Sequence, residues 1–210
     1  LAQCSLAIGG LAKNCARTLP ENINFIEEIS SLFNLVKVVV VENGSTDSTR
    51  VQLDTWAKKN QAVRVVDGEL ASFATDKRSS SVNFYYSRYR IARLAHLRNQ
   101  YLQELKLSGV SFDYLLVMDF DVDRISLEGV LDSFSRATDW DVATAYGYSL
   151  SPTLQERYHD TYALVPLGEE NIPQLEARLK AIQQNWKQDK ASRELVEVYS
   201  AFGGLTIYKY

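Results

Sequence analysis

The sequence predicts an α/β protein with a mostly parallel sheet and helices on both faces. Three observations predict it. Short β-branched runs alternate with longer segments of helical spacing along the chain. One run, "VKVVVVEN" (36–43), is almost uninterrupted, as a strand covered on both faces requires. Two acidic clusters, at 42–47 and 119–123, each stand just past the end of such a run. Open parallel sheets bind ligands beyond the carboxyl ends of their strands, so the two clusters are expected to share one cleft.

The elements follow in order. "SLAIGGLA" (5–12) reads as the first strand. In 20–33, Pro20 suits a helix start, and Ile23, Ile26, Ile29 and Phe33 recur at helical spacing. After the second strand, "GSTDSTRVQLDTWAKK" offers Ser45 and Asp47 as caps for a second helix. "AVRVVDG" (62–68) is a third strand, and 69–84, with "DKRSSS", reads as a mobile loop. From Ser87 a helix is expected, with Ile91, Leu94, Ala95, Tyr101, Leu102 and Leu105 on one face and Gly109 as terminator. A strand ending "YLLVMDFDVD" (114–123), a helix capped near Ser126 and a strand over 140–148 come next. In 169–199, Ile172, Leu175, Leu179, Ile182 and Trp186 predict an amphipathic helix, and "LTIYKY" closes the chain as a strand.

With 210 residues, 46% apolar and 23% charged, the chain can bury a full core as a single domain over 1–210. It begins at Leu1 and stops within strand-like sequence, so we read it as part of a longer chain. A net charge of −3 argues against a general nucleic-acid binder. Cys4 and Cys15 lack metal spacing and read as free thiols in a reducing compartment. No apolar run reaches the roughly 20 residues of a membrane span, and no signal peptide is visible. A cytoplasmic location is expected, with peripheral attachment to a membrane left open.

Three constellations carry chemistry. In "DFDVD", an extended backbone would point Asp119, Asp121 and Asp123 the same way, roughly 6–7 Å apart. Each neighbouring pair then repels by about 0.6–0.7 kcal/mol in water and by more in a dry cleft, a cost that a cation removes. Hard oxygen ligands favour Mg²⁺ or Mn²⁺, with substrate phosphates and water completing the shell. The bland alternative is a polar turn with capping aspartates, Asp123 above all. At the second strand end, Glu42 and Asn43 precede Gly44; an acid there accepts hydrogen bonds from a ribose or a base edge, or is merely solvated. Glycines in the pattern G-x-G-x-x-G are absent, which excludes the nicotinamide-dinucleotide fingerprint. Finally, "SRYRIARLAHLRN" (87–99) strings Arg90, Arg93 and Arg98 along a helix, where guanidinium forks suit a pyrophosphate or simply face solvent. His96 has no histidine partner at metal spacing and stays outside the metal site.

"VVVVENGSTDST", an Arg-rich helix ending "LRN" and a strand entering "DFD" together resemble the nucleotide-sugar glycosyltransferases of the GT-A fold. "RIARLAHLRNQYL", "FDYLLVMDFDVD", "RYHDTYAL" and "SAFGGLTIYK" are closer to the capsule-associated mannosyltransferase-like branch and to glycosyltransferase domains of large algal viruses. The resemblance spans about residues 6–209. It implies metal-dependent hexosyl transfer from a UDP- or GDP-sugar to a glycan or other hydroxyl acceptor, with retention of configuration. It implies Mn²⁺ or Mg²⁺ on Asp119 and Asp121, the latter catalytic, with Asp119 nearer the ribose. Glu42, beside Asn43, would read the base, a longer arm than the aspartate common there. Arg93, with Arg98 as second candidate, would contact the nucleotide. A loop at Gly9, Gly10 and Leu11 would lie against the nucleoside, and Gly203 and Gly204 would admit the donor sugar. Asp160 is the candidate on the sugar or acceptor side, and Asp160 or Glu156 could be the base that an inverting enzyme would need. Three rivals stay open: a phospho-accepting receiver, a sugar nucleotidyltransferase, and a domain that binds nucleotide sugars without turnover.

Overall fold

The structure, a computed structural model, describes residues 1–70, 88–173, 176–186 and 194–210. The chain divides into two compact units, Leu1–Asp141 with Ile207–Tyr210, and Val142–Thr206. In the first unit β1 (Ser5–Ala12), α1 (Leu19–Ser30), β2 (Leu35–Glu42), α2 (Thr49–Lys59), β3 (Val63–Asp67), α3 (Arg88–Leu107), β4 (Tyr114–Asp119) and α4 (Leu127–Ser135) follow one another. Strand–helix alternation forces parallel neighbours, because a helix returns the chain to the starting edge. β1 accordingly pairs in parallel with both β2 and β4, and β2 with β3.

The apolar run in β2 behaves as a strand covered on both faces: Val38, Val39, Val40 and Val41 are all at most 1% exposed. Ser126 caps α4 as expected, its Oγ accepting from the Gly129 N–H at 3.1 Å. Below the sheet, Phe33, Tyr114 and Phe134 meet edge to face, with ring centroids 5.1 to 6.4 Å apart.

The second unit contains β5 (Val142–Thr144), β6 (Tyr148–Leu150), β7 (Glu156–Tyr158), β8 (Val165–Pro166), α5 (Glu176–Asn185) and β9 (Val198–Ser200). β6 and β7 form an antiparallel hairpin, and β8 pairs antiparallel with β9. The last strand, β10 (Leu205–Lys209), begins in this unit and ends in the first. There the order is β3-β2-β1-β4-β10, and the Tyr210 N–H bonds the Asp113 carbonyl at 3.0 Å, so β10 runs back against β4.

Several local expectations are corrected. α1 buries Asn22, Phe25, Ile26 and Ile29 but leaves Ile23 only half-buried, because the buried stripe is rotated to bring Asn22 inward. Among the described side chains of α3 the buried ones are Leu97, Tyr101 and Leu105, whereas Ala95 faces solvent. The strand expected over 140–148 breaks after Thr144, where Gly147 is pressed against the Gly203 backbone. α5 is shorter than expected, and Ile172 precedes it, 47% exposed. The loop expected over 69–84 lies outside the described residues from 71 onward, as do the helix start at Ser87 and Leu175.

Candidate functional site

Strand register builds the site. Leu11 on β1 pairs with Asp119 on one side and Val41 on the other, and Ala12 pairs with Glu42. The ends of β2 and β4 therefore flank the end of β1. Two strand spacings of about 4.8 Å put their backbones about 10 Å apart. The two acidic clusters do share one edge of the sheet.

β4 ends at Asp119, and Phe120 and Asp121 form a turn, so the extended alternation stops before the second aspartate. Asp119 is 32% exposed and accepts from Nη2 of Arg98 at 3.2 Å. Asp121 is exposed on the turn. Asp123 leaves the acidic set altogether, pairing with Arg17 at the surface. Of the helix arginines, Arg98 reaches the acidic strand end. Five residues separate it from Arg93, which rotates the two roughly 140° apart around the helix.

Gly9 and Gly10 are buried inside β1, which continues through Leu11 to Ala12, so the nucleoside-facing loop expected there is a strand interior. Their missing side chains make room for aromatic rings. A Cβ on Gly9 would lie 2.4 Å from the Tyr101 ring, and one on Gly10 would lie 2.5 Å from the Phe120 ring. Tyr101 stands one turn beyond Arg98, so its seat on Gly9 fixes the helix face that delivers the arginine. Burial raises the Tyr101 phenol far above its ordinary value, with Arg98 pulling down and Asp119 pushing up. Tyr208 is also raised by burial and lowered by Arg98.

Glu42 ends β2 at this edge of the sheet. Its buried carboxylate folds back on its own turn, accepting from the Ser45 N–H at 2.6 Å and the Gly44 N–H at 3.2 Å. Those two main-chain donors immediately follow the strand and satisfy the carboxylate within the turn. Asn43 is tied to β1 through its N–H on the Ala12 carbonyl, 3.0 Å. Ser45 does not cap α2; its Oγ accepts from the Asn14 N–H at 2.9 Å. Asp47 accepts from the N–H groups of Thr49 and Ala16 at 3.0 and 3.1 Å, joining the α2 start to the loop after β1.

Residues that sequence reasoning passed over complete this edge. Asp67 ends β3 beside Glu42 and is bridged by Arg50, which also forks onto Asp54 at 2.9 and 3.0 Å. The parallel endings "VVVVE" and "VRVVD" were the available signal. Asn22 and Thr18 also went unnoticed: both are buried and bond the main chain of the aspartate turn. His96 Nε2 lies 3.0 Å from the Glu69 carbonyl.

In the second unit Asp160 holds a left-handed backbone, φ 34°, uncommon for a residue with a side chain, and its carbonyl accepts from the Ala163 N–H. Burial first, then Asp160 and Tyr146, push the Tyr158 phenol up to about 12. Gly203 and Gly204 take φ of 63° and 89°, which glycine adopts freely. The space beside Gly203 is filled by the Ala145 carbonyl, 1.9 Å from where a Cβ would stand. That side of Gly203 receives protein backbone.

A family model described as cryptococcal mannosyltransferase 1 matches residues 11–210. The chain belongs to this mannosyltransferase family. No curated protein matches it in sequence. Solved structures similar to it include glucosyl-3-phosphoglycerate synthase from Mycobacterium tuberculosis in complex with UDP, at 17% identity and TM-score 0.41, covering 70% of this chain and 45% of that one. Mannosyltransferase PcManGT from Pyrobaculum calidifontis in complex with GDP-Man and Mn²⁺ is similar at 14% identity and TM-score 0.46, covering 99% of this chain and 45% of that one. The chain thus spans under half the length of either protein.

The donor set constrains what metal this family member can hold. Among the described residues no three His, Cys, Asp or Glu side chains converge on a metal position. Asp119 and Asp121 remain, two hard carboxylates at a strand end, and that set fits Mg²⁺ or Mn²⁺ completed by phosphate and water. Among the described residues no helix is long and apolar enough to cross a membrane.

Proposed function

We propose that the chain carries the donor site of a GT-A glycosyltransferase that moves a hexose from a UDP- or GDP-sugar to a glycan or other hydroxyl acceptor. One observation carries the reading: the register that brings Glu42 and Asp119 to the same edge, with Arg98 on Asp119 and Asp121 on the turn beyond. Membership of a mannosyltransferase family supports it and sets aside the receiver and nucleotidyltransferase alternatives.

The residues divide the work. Arg98, half-buried and anchored by Asp119, presents a guanidinium fork to the diphosphate. Asp119 and Asp121 hold Mn²⁺ or Mg²⁺, which when bound supplies positive charge against the departing nucleoside diphosphate. Glu42 shapes the turn carrying Asn43, and Asn43 meets the nucleoside. Burial of Tyr101 and Phe120 keeps the sheet edge rigid, so the charges are preorganised. Asp160 acts on the sugar or acceptor side, and anomeric configuration is retained.

Thermal shift with UDP- and GDP-sugars, with and without Mn²⁺, tests the donor site. One nucleotide should stabilise the protein only with metal, and Asp121→Ala should abolish the response. An equal response in that variant, or none in the unaltered protein, would refute the assignment. Release of nucleoside diphosphate then separates turnover from mere binding.

A further inference from the structure

We infer that Asn22, assisted by Thr18, is a positioning residue that sets Asp121 for its cation; the inference rests on the donor-site reading above. Asn22 Nδ2 donates to the carbonyls of Phe120 at 2.9 Å and of Val122 at 3.0 Å. One amide group thus grips the chain on both sides of Asp121. Thr18 Oγ1 adds a bond to the Phe120 carbonyl at 2.8 Å, so that oxygen receives two donors. The Phe120 N–H is on the Leu11 carbonyl at 3.3 Å, and its fully buried ring sits against Gly10. Phe120 is therefore fixed at its nitrogen, its ring and its oxygen, and Val122 at its oxygen. The residue between them is exposed yet has little backbone freedom left.

A helix bearing only an apolar stripe would pack α1 as well. Burying Asn22 to 2% and Thr18 to 6% costs desolvation that the Phe120 and Val122 carbonyls repay, and both carbonyls belong to the acidic turn. Hydrogen bonds behind a ligand commonly govern metal affinity in this way.

The test measures Mn²⁺ affinity from the electron paramagnetic signal of free Mn²⁺, alone and with GDP or UDP, beside nucleotide affinity without metal. Asn22→Leu keeps the branching and the number of heavy atoms and removes both donors; Thr18→Val removes one, and Thr18→Ser restores it. Outer-shell loss predicts Mn²⁺ binding weakened by about tenfold in Asn22→Leu, with a smaller loss in Thr18→Val. Thr18→Ser should match the unaltered protein, and metal-free nucleotide affinity should not move in any of them. Should Asn22→Leu fail to fold, the Thr18→Val and Thr18→Ser pair decides. Unaltered Mn²⁺ affinity in folded variants, or parallel loss of metal-free nucleotide binding, would overturn the inference alone. No Mn²⁺ binding by the unaltered protein would overturn the donor-site reading and this inference with it.

Discussion

Gly10 lies directly against Phe120: a Cβ on Gly10 would stand 2.5 Å from the ring and 2.6 Å from the Met118 carbonyl oxygen. The central residue of "DFD" is thus seated in a gap left by one missing methyl on the neighbouring strand. Gly10→Ala should therefore destabilise the fold by about 1–3 kcal/mol through overpacking. Denaturant titration measures it, and Phe120→Leu in the same chain should recover part of the loss. Additive effects of the two substitutions would mean that the contact is not the cause.

Arg98 meets Asp119, and Arg93 lies on another side of the helix. If Arg98 bonds the diphosphate, Arg98→Ala should weaken nucleoside-diphosphate binding by about 10- to 100-fold, the worth of a charged hydrogen bond. Arg93→Ala should weaken it far less. Calorimetry with GDP and UDP checks this, and the reverse order would reassign the nucleotide contact to Arg93.

Two carboxylates make the fold acid-sensitive. Hydrogen bonds from Thr49 hold Asp47 below the ordinary 3.8, and bonds from the Ser5 N–H and hydroxyl do the same for Asp113. The unfolded chain binds these protons more readily, so stability rises with pH in this window. The contribution is complete above pH 3.8 and fades as pH falls through the lower folded values. Denaturation midpoints taken between about pH 6 and pH 2.5 should fall at the acid end, and Asp47→Asn with Asp113→Asn should flatten that fall. An unchanged slope would deny them the role.

The two thiols should differ in reactivity. Cys15 is buried, its thiol raised first by burial, and its Sγ lies 3.9 Å from the Thr49 hydroxyl. Cys4 is only half-buried. Iodoacetamide at about pH 8 should modify Cys4 well before Cys15, because the thiolate is the reactive form. Equal rates would show that the region around α1 opens readily.

Much of this was legible in the sequence. The bounds of β1, the covered β2, the cap at Ser126 and the parallel alternation are local matters of side-chain period and turn chemistry, each encoded within a few neighbouring residues. Parallel order then obliged Glu42 and Asp119 to share an edge. Both cysteines are free, as their spacing suggested.

Partner choice was not legible. Ile23 fitted the helical stripe as well as Asn22 did, and only the turn at Phe120, 98 residues further on, draws Asn22 inward. Likewise Asp123 looked like its two neighbours until Arg17, 106 residues away, engaged it. Gly9 and Gly10 resembled a ligand loop, yet rings from distant elements fill their space. Period and propensity act between neighbours and fixed where strands and helices run; which polar group meets which depends on contacts that only tertiary packing creates, and packing decided how the acidic turn is held.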